Sequence, residues 1–519
     1  LKDAAERLWV RFDRVLRLGF GRPIVTKILP IGDPAAAGIV ARLAEEPAFA
    51  PGPTGATAHA ARVPAIAAGI VVPRAARTMV NPDATIARLN AEADAMVAEL
   101  AARLDAADAV ALPHLRLAAR HRAMAASLDR SLTRLLPVFA PVMMPSVLML
   151  HRLRVLAAHT GLPDADALAL GVQRSLPGNV TIEMDLALVD VAHAIRADAP
   201  SRTAIADPDP AAVAASYLAG GLPPVARRAI DGFLDRYGMR GVAEIDLGAP
   251  RWRELPEGVV RTIATYLALP DEDAPDAAHA RGVREAEAAI ERVVQALSPI
   301  EGRQFRFIAD RLRRTFGARE TPKFTLVKQL GLVRTALLAS GRDLVDDGVL
   351  DAPDDVFFLH DAELSGAFGR RDLRERVAER RAARERELRR TRIPVVLVGD
   401  GRTFYEGVGG DPNADLSGTG VSPGVVEGAV RVVADPRTSG LLPGEILVCR
   451  GTDPAWTPLF LTASGLITEV GGLMTHGSVV AREYGLPAVV GVGGATERLA
   501  TGQRIRLDGT AGTITFLDA

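Results

Sequence analysis

Apolar residues recur every three to four positions through most of the first 393 residues, which is the spacing of one face of an α-helix. The stretches with this period are 81–104, 114–137, 181–197, 224–237, 258–268, 276–316 and 325–346. Asn81 and Pro82 open the first stretch as a helix N-cap and a proline at the first helical position. The pattern predicts a large, mostly α-helical region over residues 1–398.

The pattern changes after residue 418 to short β-rich runs separated by glycine and proline. These runs are 429–433, 446–449, 465–469, 488–492, 505–507 and 513–517, with one helix at about 478–484. We therefore expect a multidomain chain whose residues 419–519 form a compact α+β domain. Residues 399–418 are rich in glycine and have no helical period, so they are predicted to be a flexible linker.

Composition excludes several classes of protein. Apolar residues make up 48% of the chain, which rules out global disorder. The 62 basic and 63 acidic residues leave no net field that would attract nucleic acid or an anionic membrane. A single cysteine excludes a disulfide framework, and there is no run of 18 apolar residues. We expect a cytoplasmic protein with no transmembrane helix and no nucleic-acid partner.

One histidine stands at the entrance of the C-terminal helix. The segment 466–491 reads as a strand, a glycine-rich turn, His476, a helix, a glycine, a proline and a second strand. Gly485 occupies the usual place of a left-handed helix cap, and Pro487 prevents the helix from continuing. His476 is therefore predicted to lie at or just before the first helical turn.

That position suits a phosphoryl group carried on the imidazole. The first N–H groups of a helix have no partner, and the positive end of its dipole favours anions. Neutral imidazole is nucleophilic near pH 7. Gly472 and Gly477 permit close backbone approach, and Thr475 and Ser478 carry hydroxyl donors for phosphoryl oxygens. By spacing alone, a single histidine before a helix is more often a capping or packed residue.

The residues around His476 resemble the phosphohistidine swivelling domain of phosphoenolpyruvate-utilising enzymes. Gly-Gly, Thr-His, Ala-Arg-Glu and Gly-Leu-Pro-Ala-Val-Val-Gly follow one another as in that family. Residues 421–428 and 453–458 resemble the same domain. The resemblance implies a β/β/α domain in which His476 accepts a phosphoryl group.

The helical region resembles the rifampicin phosphotransferase family from about residue 170 onward. The similar segments are 175–185, 233–246, 250–253, 319–323 and 354–359. The helical region comes first and the swivelling domain last, as in that family. The chain ends 43 residues after His476, so we expect neither a (β/α)₈ barrel nor a pyruvate half-reaction.

The resemblance implies that Arg319 and Lys323 act in phosphoryl transfer beside His476. Two cations can neutralise charge on the moving phosphoryl group. The alternative is a solvent-facing pair at the start of a helix.

Four further residues are implied to bind the acceptor: Asn179, Glu183, Met239 and Arg240. Asn179 and Glu183 are also explained as the start of a helix, where an acidic residue complements the dipole. Two positions depart from the family: Met239 replaces a histidine and Thr321 replaces an aromatic residue. Both departures put rifampicin in doubt as the acceptor.

No nucleotide-binding motif is found in this sequence. There is no Walker-type phosphate loop, and nothing before residue 170 resembles the ATP-grasp domain that charges the histidine in the family. ATP and Mg²⁺ are therefore expected on a separate domain or subunit, with neither nucleotide nor metal bound by this chain. Either the polypeptide continues upstream or an ATP-grasp partner exists.

These inferences predict a dikinase-type phosphotransferase. His476 takes the β-phosphate of ATP, leaving AMP and phosphate, and passes it to a hydroxyl group of a small molecule in the helical region. The alternatives are a non-catalytic interaction module and a phosphocarrier subunit of a split enzyme.

Overall fold

The computed structural model describes residues 2–4, 7–9, 16, 34–50, 72–207, 209–370, 372–390, 394, 396–404, 415–436, 440–452, 456–472 and 475–517. Residues 405–414, the middle of the predicted linker, lie outside the described residues.

Helices dominate the chain before residue 390. They are α1 (Pro34–Glu45), α2 (Val72–Val80), α3 (Pro82–Asp108), α4 (Pro113–Ala158), α5 (Ala165–Gly171), α6 (Val180–Ala197), α7 (Ala199–Ile205), α8 (Pro210–Leu218), α9 (Pro224–Tyr237), α10 (Glu257–Ala268), α11 (Pro275–Ala296), α12 (Pro299–Phe316), α13 (Thr321–Asp346), α14 (Asp361–Leu364) and α15 (Leu373–Leu388). Short 3₁₀ turns occupy Pro47–Phe49, Asp271–Asp273, Gly317–Glu320 and Pro353–Phe358. The prediction of a mostly helical region is confirmed.

Two predicted helix boundaries were wrong. The stretch 276–316 is two helices, because α11 ends at Ala296 and Ser298 caps α12 through its Oγ, which accepts from Glu301 N at 3.4 Å. Helix α4 does not end at residue 137 but continues through three prolines.

The prolines of α4 are tolerated because side chains of α2 replace the hydrogen bonds they remove. Pro141 and Pro145 have no N–H to donate to the carbonyls of Pro137 and Pro141. Arg74 Nη1 donates to Pro137 O at 3.0 Å, and Thr78 Oγ1 donates to Pro141 O at 3.0 Å. The backbone therefore stays satisfied without a break in the helix.

Within the described residues, one helical segment, Arg134–Ala158, is long and apolar enough to cross a membrane by length and composition. It is the C-terminal half of α4. A third of its apolar window is buried, and it packs on α5 and α12, with Leu153 and Leu156 in the core.

The C-terminal region contains an eight-stranded mixed sheet. Its strands are β5 (Leu416–Ser417), β6 (Thr419–Ser422), β7 (Val425–Val432), β8 (Ile446–Cys449), β9 (Gly465–Thr468), β10 (Ala488–Val490), β11 (Arg504–Asp508) and β12 (Thr513–Phe516), in the spatial order β5-β12-β11-β7-β8-β9-β10-β6. The pairs β7–β8, β8–β9 and β9–β10 are parallel, and the other pairs are antiparallel. Helices α16 (Thr457–Thr462), α17 (His476–Tyr484) and α18 (Ala495–Arg498) complete the region. The α+β prediction is confirmed.

Short strands lie within or beside the range predicted as linker. β3 (Val396–Leu397) pairs with β4 (Thr403–Phe404), and Arg402 forms an ion pair at 2.8 Å with Glu46. β5 joins the large sheet through β12. The described ends of the predicted linker are thus ordered against the two flanking regions, whereas the sequence pattern led us to expect irregular loop throughout. A strand pair at the N-terminus, β1 (Lys2–Ala4) with β2 (Arg7–Trp9), was also not predicted.

Candidate phosphoryl-transfer site

The turn before α17 is closed by hydroxyl groups. Thr475 Oγ1 donates to Gly472 O at 2.9 Å, and Ser478 Oγ donates to the same carbonyl at 2.7 Å. These hydroxyls were predicted to bind phosphoryl oxygens, and in this arrangement they hold the backbone of the turn. His476 is the first residue of α17, so the turn positions its imidazole.

Two glycines, one in the first turn of α17 and one just after its last residue, are required by geometry. A Cβ on Gly477 would lie 2.5 Å from Thr452 Oγ1, so only glycine allows this approach. Gly485 has φ +66°, and its N–H bonds the carbonyls of Ala481 and Arg482 as a left-handed cap. The predicted start and end of the helix around His476 are both reproduced.

The His476 ring lies at the contact between the C-terminal region and the helical region. The histidine is 8% exposed, and its Nε2 has no hydrogen-bond partner among the described residues. Burial lowers the pKa of His476 well below its ordinary value, and the charges of Lys323, Arg240 and Arg319 lower it further. The imidazole is therefore neutral at physiological pH, the form that acts as a nucleophile.

Arg319 reaches this site from the 3₁₀ turn that precedes α13. Its Nη1 donates to Phe316 O at 3.1 Å, and its guanidinium stacks on the Phe316 ring at 5.1 Å. Its Nε has no hydrogen bond among the described residues, although Oε1 of Glu320 lies 3.9 Å away, and burial lowers the pKa of the guanidinium. One N–H donor of Arg319 is thus left without an acceptor.

Lys323 and Arg240 are linked by a buried carboxylate. Lys323 Nζ lies 2.9 Å from Glu244 Oε1, and Arg240 Nη1 lies 3.5 Å from the same oxygen. Glu244 was not among the predicted site residues. The sequence signal for Glu244 was its place in the segment 233–246, four positions after Arg240. The residues between the two are not helical.

A role as phosphoryl carrier would require one face of the His476 ring to be open to a visiting phosphate. In this arrangement the residue is almost fully covered instead. The covering groups include three cations, and Phe460 of α16 lies 6.4 Å from the ring between centroids.

The other predicted binding residues lie apart from the ring. Asn179 caps α6 through its Oδ1, which accepts from Thr181 N at 3.1 Å, and its Nδ2 has no partner among the described residues. Glu183 forms a 2.8 Å ion pair with Arg236 on the surface. Met239 lies against Gly331 of α13. Of the four residues predicted to bind the acceptor, Arg240 alone exerts a charge effect on His476.

A cavity of about 450 Å³ lies between the helical region and the C-terminal region. Its walls include Leu188 and Trp252 from the helical side and Leu459 and Thr462 from α16. Asp185 also lines it, almost fully buried, and its Oδ1 accepts from the Tyr266 hydroxyl. This size is suitable for a small organic molecule. The cavity and His476 lie against the same short helix, α16.

No group of three or more His, Cys, Asp or Glu side chains is placed to hold a metal ion in the described part of the chain.

Two family models match the chain. The rifampicin phosphotransferase fourth domain matches residues 135–320, and the PEP-utilising enzyme mobile domain matches residues 441–512. The first match begins near residue 135, earlier than the resemblance noted from about residue 170. Together with the fold, these matches place the chain in the family of phosphoenolpyruvate-utilising enzymes that carry a phosphohistidine mobile domain.

Within that family, the chain is similar to rifampicin phosphotransferases. It is 40% identical to the enzyme of Streptomyces sviceus over 362 residues, which is 68% of this chain and 41% of the relative. It is 37% identical to that of Bacillus cereus over 366 residues, with the same coverage. A prodigiosin synthesizing transferase of Serratia marcescens is 30% identical over 292 residues, 54% of this chain and 32% of the relative. The chain spans about two fifths of the length of the first two relatives.

Proposed function

We propose that this chain carries the phosphoryl-accepting histidine and the acceptor site of a phosphotransferase. The observation that carries the proposal is the neutral Nε2 of His476, which has no hydrogen-bond partner among the described residues and lies within the electrostatic influence of Arg319, Lys323 and Arg240. A phosphoryl group on that nitrogen would find cations around its oxygens, which is the arrangement that stabilises phosphoryl transfer.

The reaction has two steps. In the first, Nε2 of His476 attacks phosphorus, a P–N bond forms, and the P–O bond to the donor breaks. By family similarity the donor is the β-phosphoryl of ATP held with Mg²⁺ on an ATP-grasp partner, while water takes the γ-phosphoryl and AMP is left. In the second, an acceptor hydroxyl oxygen attacks the phosphorus, the P–N bond breaks, and the hydroxyl proton is released to solvent.

Separation of the two regions divides these steps in space. The C-terminal region accepts the phosphoryl group when it is away from the helical region and delivers it when it docks there, which limits loss to water. We place the acceptor in the cavity beside α16 and the reaction in the cytoplasm. Relatives carry the names of both a rifampicin phosphotransferase and a prodigiosin synthesizing transferase, so we assign only the class, a small molecule with a hydroxyl group.

The carrier step is tested by chemical phosphorylation of the chain. Potassium phosphoramidate, a small donor that modifies imidazole, is added, and the modified residue is mapped by mass spectrometry. We expect an acid-labile, alkali-stable phosphoryl group on His476, abolished in His476→Asn and retained in His193→Asn, which changes an exposed histidine. Labelling of other histidines while His476 stays unmodified would reject the proposal.

The rival function, a non-catalytic interaction module, predicts an apolar contact around His476. Cations around an unpartnered nitrogen favour the phosphotransferase.

A further inference from the structure

A second, very small cavity is closed between the two regions when they dock. Ser175, Asp185 and His279 of the helical region line it, together with Glu483 and Tyr484 of α17. It has room for about 10 Å³, the space of a single water molecule.

The polar groups around this cavity are incompletely bonded. Four atoms have no hydrogen-bond partner among the described residues: Ser175 Oγ, Asp185 Oδ2, His279 Nδ1 and Glu483 Oε2. Each carboxylate uses only its other oxygen, since Glu483 Oε1 is 3.5 Å from Leu176 N and Asp185 Oδ1 accepts from Tyr266. A buried polar atom without a partner is unfavourable, so four such atoms around one cavity mark a site for a small polar occupant.

We propose that Glu483 binds a proton when the C-terminal region docks on the helical region, and that the protonated carboxyl donates to a water held in this cavity. Glu483 is 4% exposed in the docked arrangement, and residues of the helical region line its cavity, so we expect separation to return the carboxyl to solvent. The proposal concerns docking and does not depend on phosphoryl transfer.

Charged groups approach Glu483 from several elements. Arg319 and Arg313 come from the helical region and Arg482 from α17, while Asp185 and His279 share its cavity. The arginines are partly engaged elsewhere: Arg313 Nη1 donates to Val172 O and Arg174 O at 2.8 Å, and Arg482 Nη1 donates to Val421 O at 3.0 Å.

Burial therefore outweighs the attraction of these cations. It raises the pKa of Glu483 from its ordinary value of 4.5 to about 7, against the lowering influence of Arg319, two backbone N–H groups and Arg482. Because the docked form has the higher pKa, docking takes up a proton, and the stabilisation from Glu483 is lost as the pH rises towards 7. Between pH 6 and pH 8 the docking constant should fall about tenfold from this group alone.

The experiment measures docking by energy transfer between dyes on Arg228→Cys and Arg506→Cys, two exposed positions in the two regions. Cys449 is buried. His476→Asn is included throughout, because protonation of that imidazole also affects docking. The parent protein is therefore the labelled chain with His476→Asn. Its docking constant and that of its Glu483→Gln form are compared from pH 6 to pH 8. Asp185 and His279 are present in both proteins, so their titration cancels in the ratio.

We expect the parent-to-variant ratio of docking constants to fall about tenfold over this range, since glutamine does not titrate. The matched control is Glu427→Gln, which changes an exposed residue of β7. Its parent-to-variant ratio of docking constants should not change with pH. Thermal melting checks that Glu483→Gln is folded. A ratio for Glu483→Gln that is constant with pH, or a parent that never docks, overturns the proposal without bearing on phosphorylation of His476.

Discussion

The ammonium group of Lys323 lies 2.9 Å from Oε1 of Glu244, although the glutamate side chain is only 2% exposed and the lysine is 38% exposed. Arg240, as deeply buried as Glu244, lies 3.5 Å from the same oxygen. Glu244 also acts on the charge of buried Arg251. One carboxylate therefore balances a group of cations, two of which act on His476, and holds them before any phosphoryl group is present.

Replacement of Glu244 by glutamine should destabilise the helical region. Arg240 would remain buried without a counter-charge, and removing one partner of a buried ion pair is expected to lower the free energy of unfolding by about 3 kcal/mol. Lys323→Met should lower it by less than about 1 kcal/mol, because lysine is partly exposed. Both values are measured by urea unfolding followed by far-ultraviolet circular dichroism.

A matched control for Glu244 is Glu291→Gln. Glu291 pairs with Arg306, and both side chains are nearly half exposed, so solvent compensates for much of the loss. Equal destabilisation by the two changes would mean that Glu244 has no special role in balancing the buried cations.

Phosphorylation of His476 should strengthen docking of the C-terminal region. A charge-assisted hydrogen bond contributes about 1.5–3 kcal/mol. A hydrogen bond from Lys323 to the phosphoryl group on His476 should therefore raise the docking constant about tenfold or more. Energy transfer between the dyes at positions 228 and 506, with and without phosphoramidate, measures the gain. In Lys323→Ala the gain should shrink, whereas Lys328→Ala, which changes another lysine of α13 paired with Asp94, should retain it. A gain unchanged in Lys323→Ala would exclude contact between this lysine and the phosphoryl group.

Acid should weaken docking through His476. Its pKa is lower in the docked arrangement than in solvent, so the docked form binds fewer protons. The part of docking that depends on His476 should therefore be undiminished above the ordinary pKa of 6.5, and it should fall by nearly tenfold for each pH unit well below it. The test compares Glu483→Gln with Glu483→Gln/His476→Asn by energy transfer between pH 5 and pH 8. If both proteins lose docking to the same extent in acid, the imidazole is not the responsible group.

Local sequence signals predicted much of this fold. Helix α9 has the bounds that its periodicity indicated, and the glycine at position 485 ends α17 as a left-handed cap. The continuation of α4 could not be predicted, because the carbonyls freed by its prolines are bonded by α2 residues 63 positions away. A proline stops a helix only where nothing else satisfies the backbone.

The site was predictable only in part for the same reason. His476, Arg319 and Lys323 were proposed from their motifs, and the structure brings them together, but their roles remain predictions. Glu244 was missed because its importance arises from contacts with Lys323 and with a buried arginine, neither of which is a sequence motif. The small cavity at Glu483 depends on docking between elements about 200–300 residues apart, which no local pattern encodes.

Gly317 connects the fold to the site, and its replacement should disturb both. A Cβ at this position would collide with the carbonyl oxygen of Pro177 and lie 2.9 Å from Asn179 N. These are backbone atoms that cannot rotate away, so Gly317→Ala should lower the free energy of unfolding by about 1–3 kcal/mol. Because Arg319 lies two residues further along the same 3₁₀ turn, the docking gain from phosphorylated His476 should fall as well. Gly366→Ala, where the new Cβ meets nothing within 4 Å, should change stability by less than about 0.5 kcal/mol and leave docking intact. Urea unfolding and energy transfer on the two variants measure these effects, and matching results for both glycines would show that the turn carrying Arg319 can move freely.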